Sequence, residues 1–426
     1  MIWFYRIAFL PVFLVMGPYY IWRMLKRGGY GHHFYHRFGW VSFIPRRKGF
    51  FRIWIQAVSV GEVQAIEPLV KKLRAMNKVE VFLTTTTSTG YRRAKDVFGD
   101  NLLGINFFPL DFWLFSFLSW NRIKPDLCIL MEAELWPEHI RQGKSRGVPV
   151  LLINGRMSDG SFERYKKCKC VSRFLLRQLD SVVACSEGDK ERFISLGASE
   201  ESTVVSGNMK LDLVLDPLSD SEKLTLKEEL GFSKDDIVLM GASTWSGEEK
   251  WLMDVQKDLL NQGLKVGLLL VPRHAERRNE IIELFNRQRF KYSVRSTRKK
   301  CNGVNIVLAD TTGELKRLVQ VTDVVFVGKS LLGNKGGQSP IEIAAAGKAM
   351  IYGSAMSNFR TICRQLEFAG GAIKVSDEKE GALILKSLLF NKPARDKLSY
   401  NSLQWFKQNK GAVDRTLEYI KKEGIG

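Results

Sequence analysis

"FRIWIQAVSVGEVQAIEPLVKKLRAM", residues 51–76, decides how the rest of the chain is read. Its first part is a β-branched, aromatic run, apolar on both faces, as expected of a strand covered on both sides of a sheet. From Val63 the apolar residues recur at helical spacing. The two halves meet in a turn of small residues carrying one carboxylate, Glu62. A helix N-terminus accommodates negative charge. The same place is the carboxyl edge of a parallel sheet, where open α/β folds put their ligands, so Glu62 is also a candidate catalytic base. The unit repeats. "VEVFLTTTT", "DLCILM", "VPVLLING" and "SVVACS" read as strands, and "GYRRAKDVF", "EHIRQGKSRG" and "KERFISLG" as helices between them. After a polar pause at 211–232 a second series begins with "DIVLMGAS", "KVGLLLVP", "VNIVLAD", "DVVFVG", "AMIYG" and "GAIKV". Alternating β and α predicts two doubly wound parallel sheets, hence two Rossmann-like domains facing a cleft.

The bulk composition agrees. A chain of 426 residues exceeds one compact core, and 45% hydrophobic with 26% charged residues is globular, not disordered. The net charge of +20 favours an acidic partner: nucleic acid, an anionic lipid surface or a phosphorylated substrate. Six scattered cysteines (Cys128, Cys168, Cys170, Cys185, Cys301, Cys363) include one C-x-C without the second pair that a zinc site needs, so reduced thiols and no metal are expected. The N-terminus differs from the rest. An apolar run from Ile7 to Trp22, interrupted by Pro11 and Pro18, is followed by Arg23, Lys26 and Arg27, with aromatics at both ends. It reads as a membrane anchor, spanning or interfacial, and the basic cluster places the adjoining domain on the cytoplasmic side. No small-residue cleavage site comes after it.

Five further stretches carry chemistry-bearing residues. "CILMEAELWPEHI" places Glu132 and Glu134 directly after a strand. "VVSGNMKLDL" presents Asn208 and Lys210 near the linker, where a cation can face an anionic donor. "INGRMS" supplies Asn154 and Arg156 without an evident role. "LLLVPRHAERRNE" sets Arg273 and His274 after Pro272, and an arginine there can grip a carboxylate or phosphate bidentately. "VVFVGKSLLGNKGGQSPIEIAAAGKAMIYG" passes Gly333, Gly336 and Gly337 into a helix starting near Pro340, whose bare amides would suit one phosphate. Glu342 in its first turn can take ribose hydroxyls. Neither a Walker loop nor G-x-G-x-x-G is present, which speaks against ATP and NAD.

Taken in order, the N-terminal anchor, "VSVGE", "TTTTSTG", "MEAELWP", "INGRMS", "GNMKLD", "STWSGEE", "VPRH", "DTTGEL" and "GGQSPIE" resemble the Kdo (3-deoxy-D-manno-octulosonic acid) transferase family over nearly the whole chain. The resemblance implies an inner-membrane-anchored GT-B glycosyltransferase, its catalytic domains on the cytoplasmic face of a Gram-negative-type bacterium, moving Kdo from CMP-Kdo to a lipid A precursor (lipid IVA) with inversion. It implies Glu62 as general base and Glu132 and Lys210 as transition-state stabilisers. It assigns Pro272, Arg273, Thr312, Gly313, Glu314, Ser339, Pro340, Ile341 and Glu342 to CMP. A donor with a single phosphate needs no metal or other cofactor, so "MEAE" reads as a sugar-facing acid. The domains would be an anchor (1–27), an acceptor domain (28–212) and a CMP-sugar domain (213–426). The family's usual His-Asn after the paired glycines is replaced by Gln338 and Ser339, which can still hydrogen-bond and cap the helix.

Two other classes compete. Another nucleotide sugar on a membrane glycolipid would fit the same fold, and CMP against UDP competition separates the two. A membrane-tethered, non-catalytic binding protein is the second. Nucleic acid is disfavoured, because the 65 basic residues are spread along the chain without an aromatic-basic platform.

Overall fold

The alternation of apolar runs and amphipathic stretches becomes two separate α/β units. The structure, a computed structural model, describes residues 2–27, 31–297 and 303–422, so Cys301 and the 27/28 boundary lie outside the described residues. The first unit is Met1–Asp212 with Lys410–Gly426, and the second is Leu213–Asn409.

In the first unit the elements run α1 (Ile2–Arg27), β1 (Phe51–Gln56), α2 (Val60–Ala75), β2 (Val79–Thr85), α3 (Ser88–Phe98), β3 (Gly104–Phe107), α4 (Trp113–Ile123) and β4 (Leu127–Met131). They continue with α5 (Pro137–Ser145), β5 (Val150–Gly155), α6 (Asp159–Lys167), α7 (Lys169–Leu176), β6 (Ser181–Ala184), α8 (Glu187–Leu196) and β7 (Thr203–Val205). The seven strands pair in parallel in the order β3-β2-β1-β4-β5-β6-β7. Two-sided burial is literal here. Ile53 and Ile55 enter one core and Trp54 the other, and Leu127, Ile129 and Met131 divide from Cys128 and Leu130 in the same way. That is why these strands read as continuous apolar runs.

The second unit holds α9 (Asp220–Leu230), β8 (Ile237–Thr244), α10 (Glu248–Asn261), β9 (Val266–Pro272), α11 (Arg278–Gln288), β10 (Tyr292–Val294), β11 (Ile306–Leu308), α12 (Leu315–Leu318) and β12 (Val324–Val327). It ends with α13 (Ile341–Ala345), β13 (Ala349–Gly353), α14 (Arg360–Phe368), β14 (Ile373–Val375), α15 (Glu378–Phe390) and α16 (Lys392–Asn409). Its seven parallel strands are ordered β10-β11-β9-β8-β12-β13-β14. In each sheet the strand order reverses once beside the first strand, between β1 and β4 and between β8 and β12. Those two crevices are where a doubly wound sheet binds ligands.

One boundary differs from the expectation. The last helix, α17 (Ala412–Lys422), belongs to the first unit and not to the second. Its apolar face, Val413, Leu417 and Ile420, joins the core under α2, and the Asp212 carboxylate accepts the Gly411 and Val413 N–H groups. The reason is local: an amphipathic helix must bury its stripe, and the open face it covers lies on α2.

Candidate active site

Glu62 and Glu132 stand at the ends of adjacent strands. Glu62 sits in the first turn of α2 after β1, Glu132 directly follows β4, and β1 and β4 are paired from Ile53–Leu127 to Gln56–Leu130. Glu62 is buried and oriented by its own turn, accepting the Val58 N–H at 2.9 Å and the Ser59 hydroxyl at 3.0 Å. It therefore serves its own turn, at the end of β1 beside the β1/β4 crevice. Burial raises its carboxyl above the ordinary range, and the charge of Glu132 adds to that.

Glu132 lies at φ 56°, a left-handed conformation rare outside glycine. Lys210 Nζ approaches one of its oxygens at 2.7 Å and Arg156 Nε the other at 2.9 Å. Burial alone would raise this carboxyl; the two cations overcome it and hold it below the usual range. Glu134, two residues on, has no such pair among the described residues. Burial, then Glu62 and Glu132, push it up to about 7. The crevice thus contains one firmly ionised carboxylate and two with raised affinity for protons, an arrangement that separates acid and base roles.

Asn154 explains how Lys210 is placed. It lies near the end of β5, where the register shifts, also left-handed at φ 51°, and its Oδ1 accepts the Met209 N–H at 2.9 Å and the Cys185 thiol at 3.2 Å. That pins the 3₁₀ turn Met209–Leu211 carrying Lys210, which Asn208 also caps. Asn154 and Arg156, roleless in the sequence, are respectively the support of Lys210 and the second cation on Glu132.

In the second unit the residues assigned to CMP fall in separate places. Thr312 and Glu314 line an open cavity of about 670 Å³ together with Arg295, Ser296, Thr311 and Arg317. Glu314 is held below its usual range because Arg295, at 3.1 Å, and Thr311 outweigh its burial. Pro272 ends β9 and Arg273 follows it, its side chain exposed and without an ion pair among the described residues. The glycine-rich loop after β12 lies at the β8/β12 reversal. There Glu248, fully buried at the start of α10, accepts N–H groups from Trp245, Lys329, Ser330 and Leu331. Lys329 sits over the Trp245 ring at 4.2 Å, with His274 edge-on to the same ring. Gly337, at φ 69°, has no room for a side chain, since a Cβ would meet Met356 Sδ at 2.3 Å.

The helix start after Pro340 does not offer the expected row of bare amides. The helix α13 is five residues long, Pro340 has no N–H, and the Ser339 hydroxyl accepts from Ile341 N at 3.3 Å while donating to Glu342 at 2.6 Å. Serine in this position caps the helix itself and engages one oxygen of Glu342.

Residues 32–213 match the family model of 3-deoxy-D-manno-octulosonic-acid (Kdo) transferase. A Kdo transferase from Haemophilus influenzae is 32% identical over 422 residues, covering 97% of this chain and 94% of that one. This chain belongs to the Kdo transferase family. A further member, from Chlamydia pneumoniae, is 27% identical over 98% of this chain and 95% of its own. A glycosyltransferase from Rickettsia africae, 14% identical, superposes with a TM-score of 0.60 over 88% of this chain and 99% of that one, which establishes the likeness of fold. The fold of this Kdo transferase-family chain is accordingly GT-B, and the chain is an enzyme.

Three residues of the site escaped the sequence reading. Arg295 and Arg317 line the cavity around Glu314, and Glu248 fastens the glycine-rich loop. Arg295 lies within a basic run with nothing in its spacing to single it out. Glu248 could have been found from "STWSGEE", as an acid that cannot be solvated once its helix packs on the sheet.

Proposed function

We propose that this family member transfers Kdo from CMP-Kdo to a lipid A precursor, at the cytoplasmic face of the inner membrane. Glu62 takes the proton of the acceptor hydroxyl as that oxygen bonds to the anomeric carbon of Kdo. The bond from that carbon to the CMP phosphate breaks on the opposite face, which inverts the centre and releases CMP. The observation that carries the reading is the juxtaposition of buried Glu62 with the Glu132–Lys210–Arg156 ion cluster at the β1/β4 reversal. A buried carboxyl of raised proton affinity is a stronger base than an exposed one. Lys210 and Arg156 supply positive charge near the reacting sugar, and both oxygens of Glu132 are already met by these cations. We therefore read the transfer as metal-independent, with the CMP moiety on the second unit against Pro272, Arg273, Thr312–Glu314 and Ser339–Glu342.

The test is a transfer assay on the full-length protein in detergent, with freshly made CMP-Kdo and a tetra-acylated lipid A precursor, products being read by mass. Wild type should add Kdo, and Glu62→Gln should lose about 10²–10⁴-fold in turnover, on the order expected for a missing general base, while still binding CMP. Equal turnover in the variant ends the base assignment. No transfer by a folded wild type that binds CMP rejects the acceptor, and no CMP binding rejects the donor.

A further inference from the structure

The N-terminal helix α1 is long and apolar enough over Ile2–Met24 to cross a membrane, and little of that stretch is buried. Its first turns are nevertheless fastened to the catalytic unit. Arg6 forks onto Glu138 with contacts of 2.9 and 2.7 Å, and the Glu138 side chain is fully buried. The Tyr5 hydroxyl reaches the buried carboxylate of Asp111 at 2.9 Å, and Phe9 stacks on Phe112 at 5.1 Å. Asp111 in turn accepts the Glu138 and His139 N–H groups, capping α5, the helix that follows the Glu132–Glu134 loop. Withdrawing Arg6 would leave a buried carboxylate without its cation, which is strongly unfavourable.

These contacts are incompatible with a spanning helix in either sense. With the N-terminus on the far side of the bilayer, Tyr5 and Arg6 could not reach Asp111 and Glu138. With the N-terminus on the near side and the helix upright, Arg27 would lie about 27 Å beyond Phe9, at ~1.5 Å per residue. Yet the His33 ring already packs against Tyr91 of the catalytic unit at 5.5 Å. Six residues reach roughly 20 Å at most, and Arg23 and Lys26 would be carried into hydrocarbon, which is costly.

We propose that α1 lies in the plane of one leaflet as part of a docking surface for an anionic bilayer. The exposed side of the helix (Val12, Val15, Tyr19) continues through the Phe9–Phe112 stack to Trp113, Leu114 and Phe117 on α4. An apolar groove of about 250 Å³ between α1 and α7, with Phe4, Ala8, Pro137 and Val171 on its walls, belongs to the same surface. Exposed Lys166, Lys167, Lys169 and Arg173 beside it form no ion pair among the described residues and suit acidic headgroups. Through Arg6 and Asp111, the membrane plane sets the orientation of the α5 start and the acid loop before it.

The inference rests on the membrane reading under the proposed function but not on the transfer chemistry, so depth data and the transfer assay fail separately. Full-length protein with Cys168, Cys170 and Cys301 replaced by serine carries a nitroxide at Val12→Cys, Val15→Cys or Tyr19→Cys, three positions on one helical face. It is reconstituted into vesicles of phosphatidylethanolamine and phosphatidylglycerol, and depth is read from oxygen against nickel accessibility. A flat helix gives three depths equal within about 3 Å, near the headgroup boundary. A change of about 10 Å from residue 12 to 19 would mean an upright helix and overturn the proposal, as would three water-exposed labels. Adding Arg6→Ala should raise the mobility of the label at 12; an unchanged line shape would remove the clamp.

Discussion

At the scale of single residues, the crevice of the first unit concentrates negative charge that folding would rather neutralise. Glu134 is the clearest case, with a carboxyl pushed up to about 7 by burial, then by Glu62 and Glu132. A carboxyl whose folded pKa exceeds its unfolded value costs stability once ionised. The cost is fully present above the folded value and vanishes below the unfolded one. Glu134→Gln should therefore stabilise the protein by on the order of 2 kcal/mol at pH 8 and leave it unchanged at pH 4, read from urea midpoints at both values. Equal midpoints at pH 8 would show that Glu134 is solvated in the folded chain. Glu132 has the opposite sign: its depressed pKa adds stability above the unfolded value, lost as pH falls through the folded one. Glu62 and Glu132 were legible as acids at strand ends. The asymmetry among Glu62, Glu132 and Glu134 was not, because it depends on Arg156 and Lys210 arriving from the segments after two other strands, β5 and β7.

At the scale of elements, local pattern and tertiary contact divide the information. The long apolar runs and the Gly-closed helices were readable, because each carries its own periodicity. Gly104–Phe107 and Tyr292–Val294 went unread as strands, being four and three residues long with too few alternations to register. The start of α10 shows what pattern alone cannot supply. Glu248 ties this helix to the loop after β12 by accepting three of its N–H groups, residues more than 80 positions away. Removing the acceptor leaves buried amides unpaired, each costing roughly 1–3 kcal/mol. Glu248→Ala should lower stability by roughly 3–6 kcal/mol in urea unfolding, and Glu248→Gln, which keeps one accepting oxygen, by less. An alanine variant as stable as wild type would mean that the loop finds other acceptors.

At the scale of the whole molecule, the chain closes its first unit last. Residues 1–212 form a sheet whose α2 face is completed by α17, some 200 positions later. Ending the chain after Asn409 would expose the surface that Val413, Leu417 and Ile420 cover. Each side chain of that size is worth about 1.5–3 kcal/mol of burial, so the first unit should lose several kcal/mol and the second none. In limited proteolysis of the truncated protein, cleavage within 51–212 should precede cleavage within 213–409. Simultaneous or reversed cleavage would show that α17 does not stabilise the first unit.

The sequence by itself determined the class of fold, the number of sheets, the family and the apolar helix at the N-terminus. Each of these is written in periodicity or in contiguous motifs, which survive without knowledge of what packs against what. Tertiary structure alone decided that Asn154 supports Lys210 and that Arg156 shares Glu132. It also decided that the Ser339 hydroxyl engages the first N–H of α13, that the last helix returns to the first unit, and that Arg6 holds α1 against Glu138. The physical reason is common to all five. A side chain, polar or apolar, acquires its role from the partner that replaces its water, and that partner is chosen by the fold, not by its neighbours in the chain.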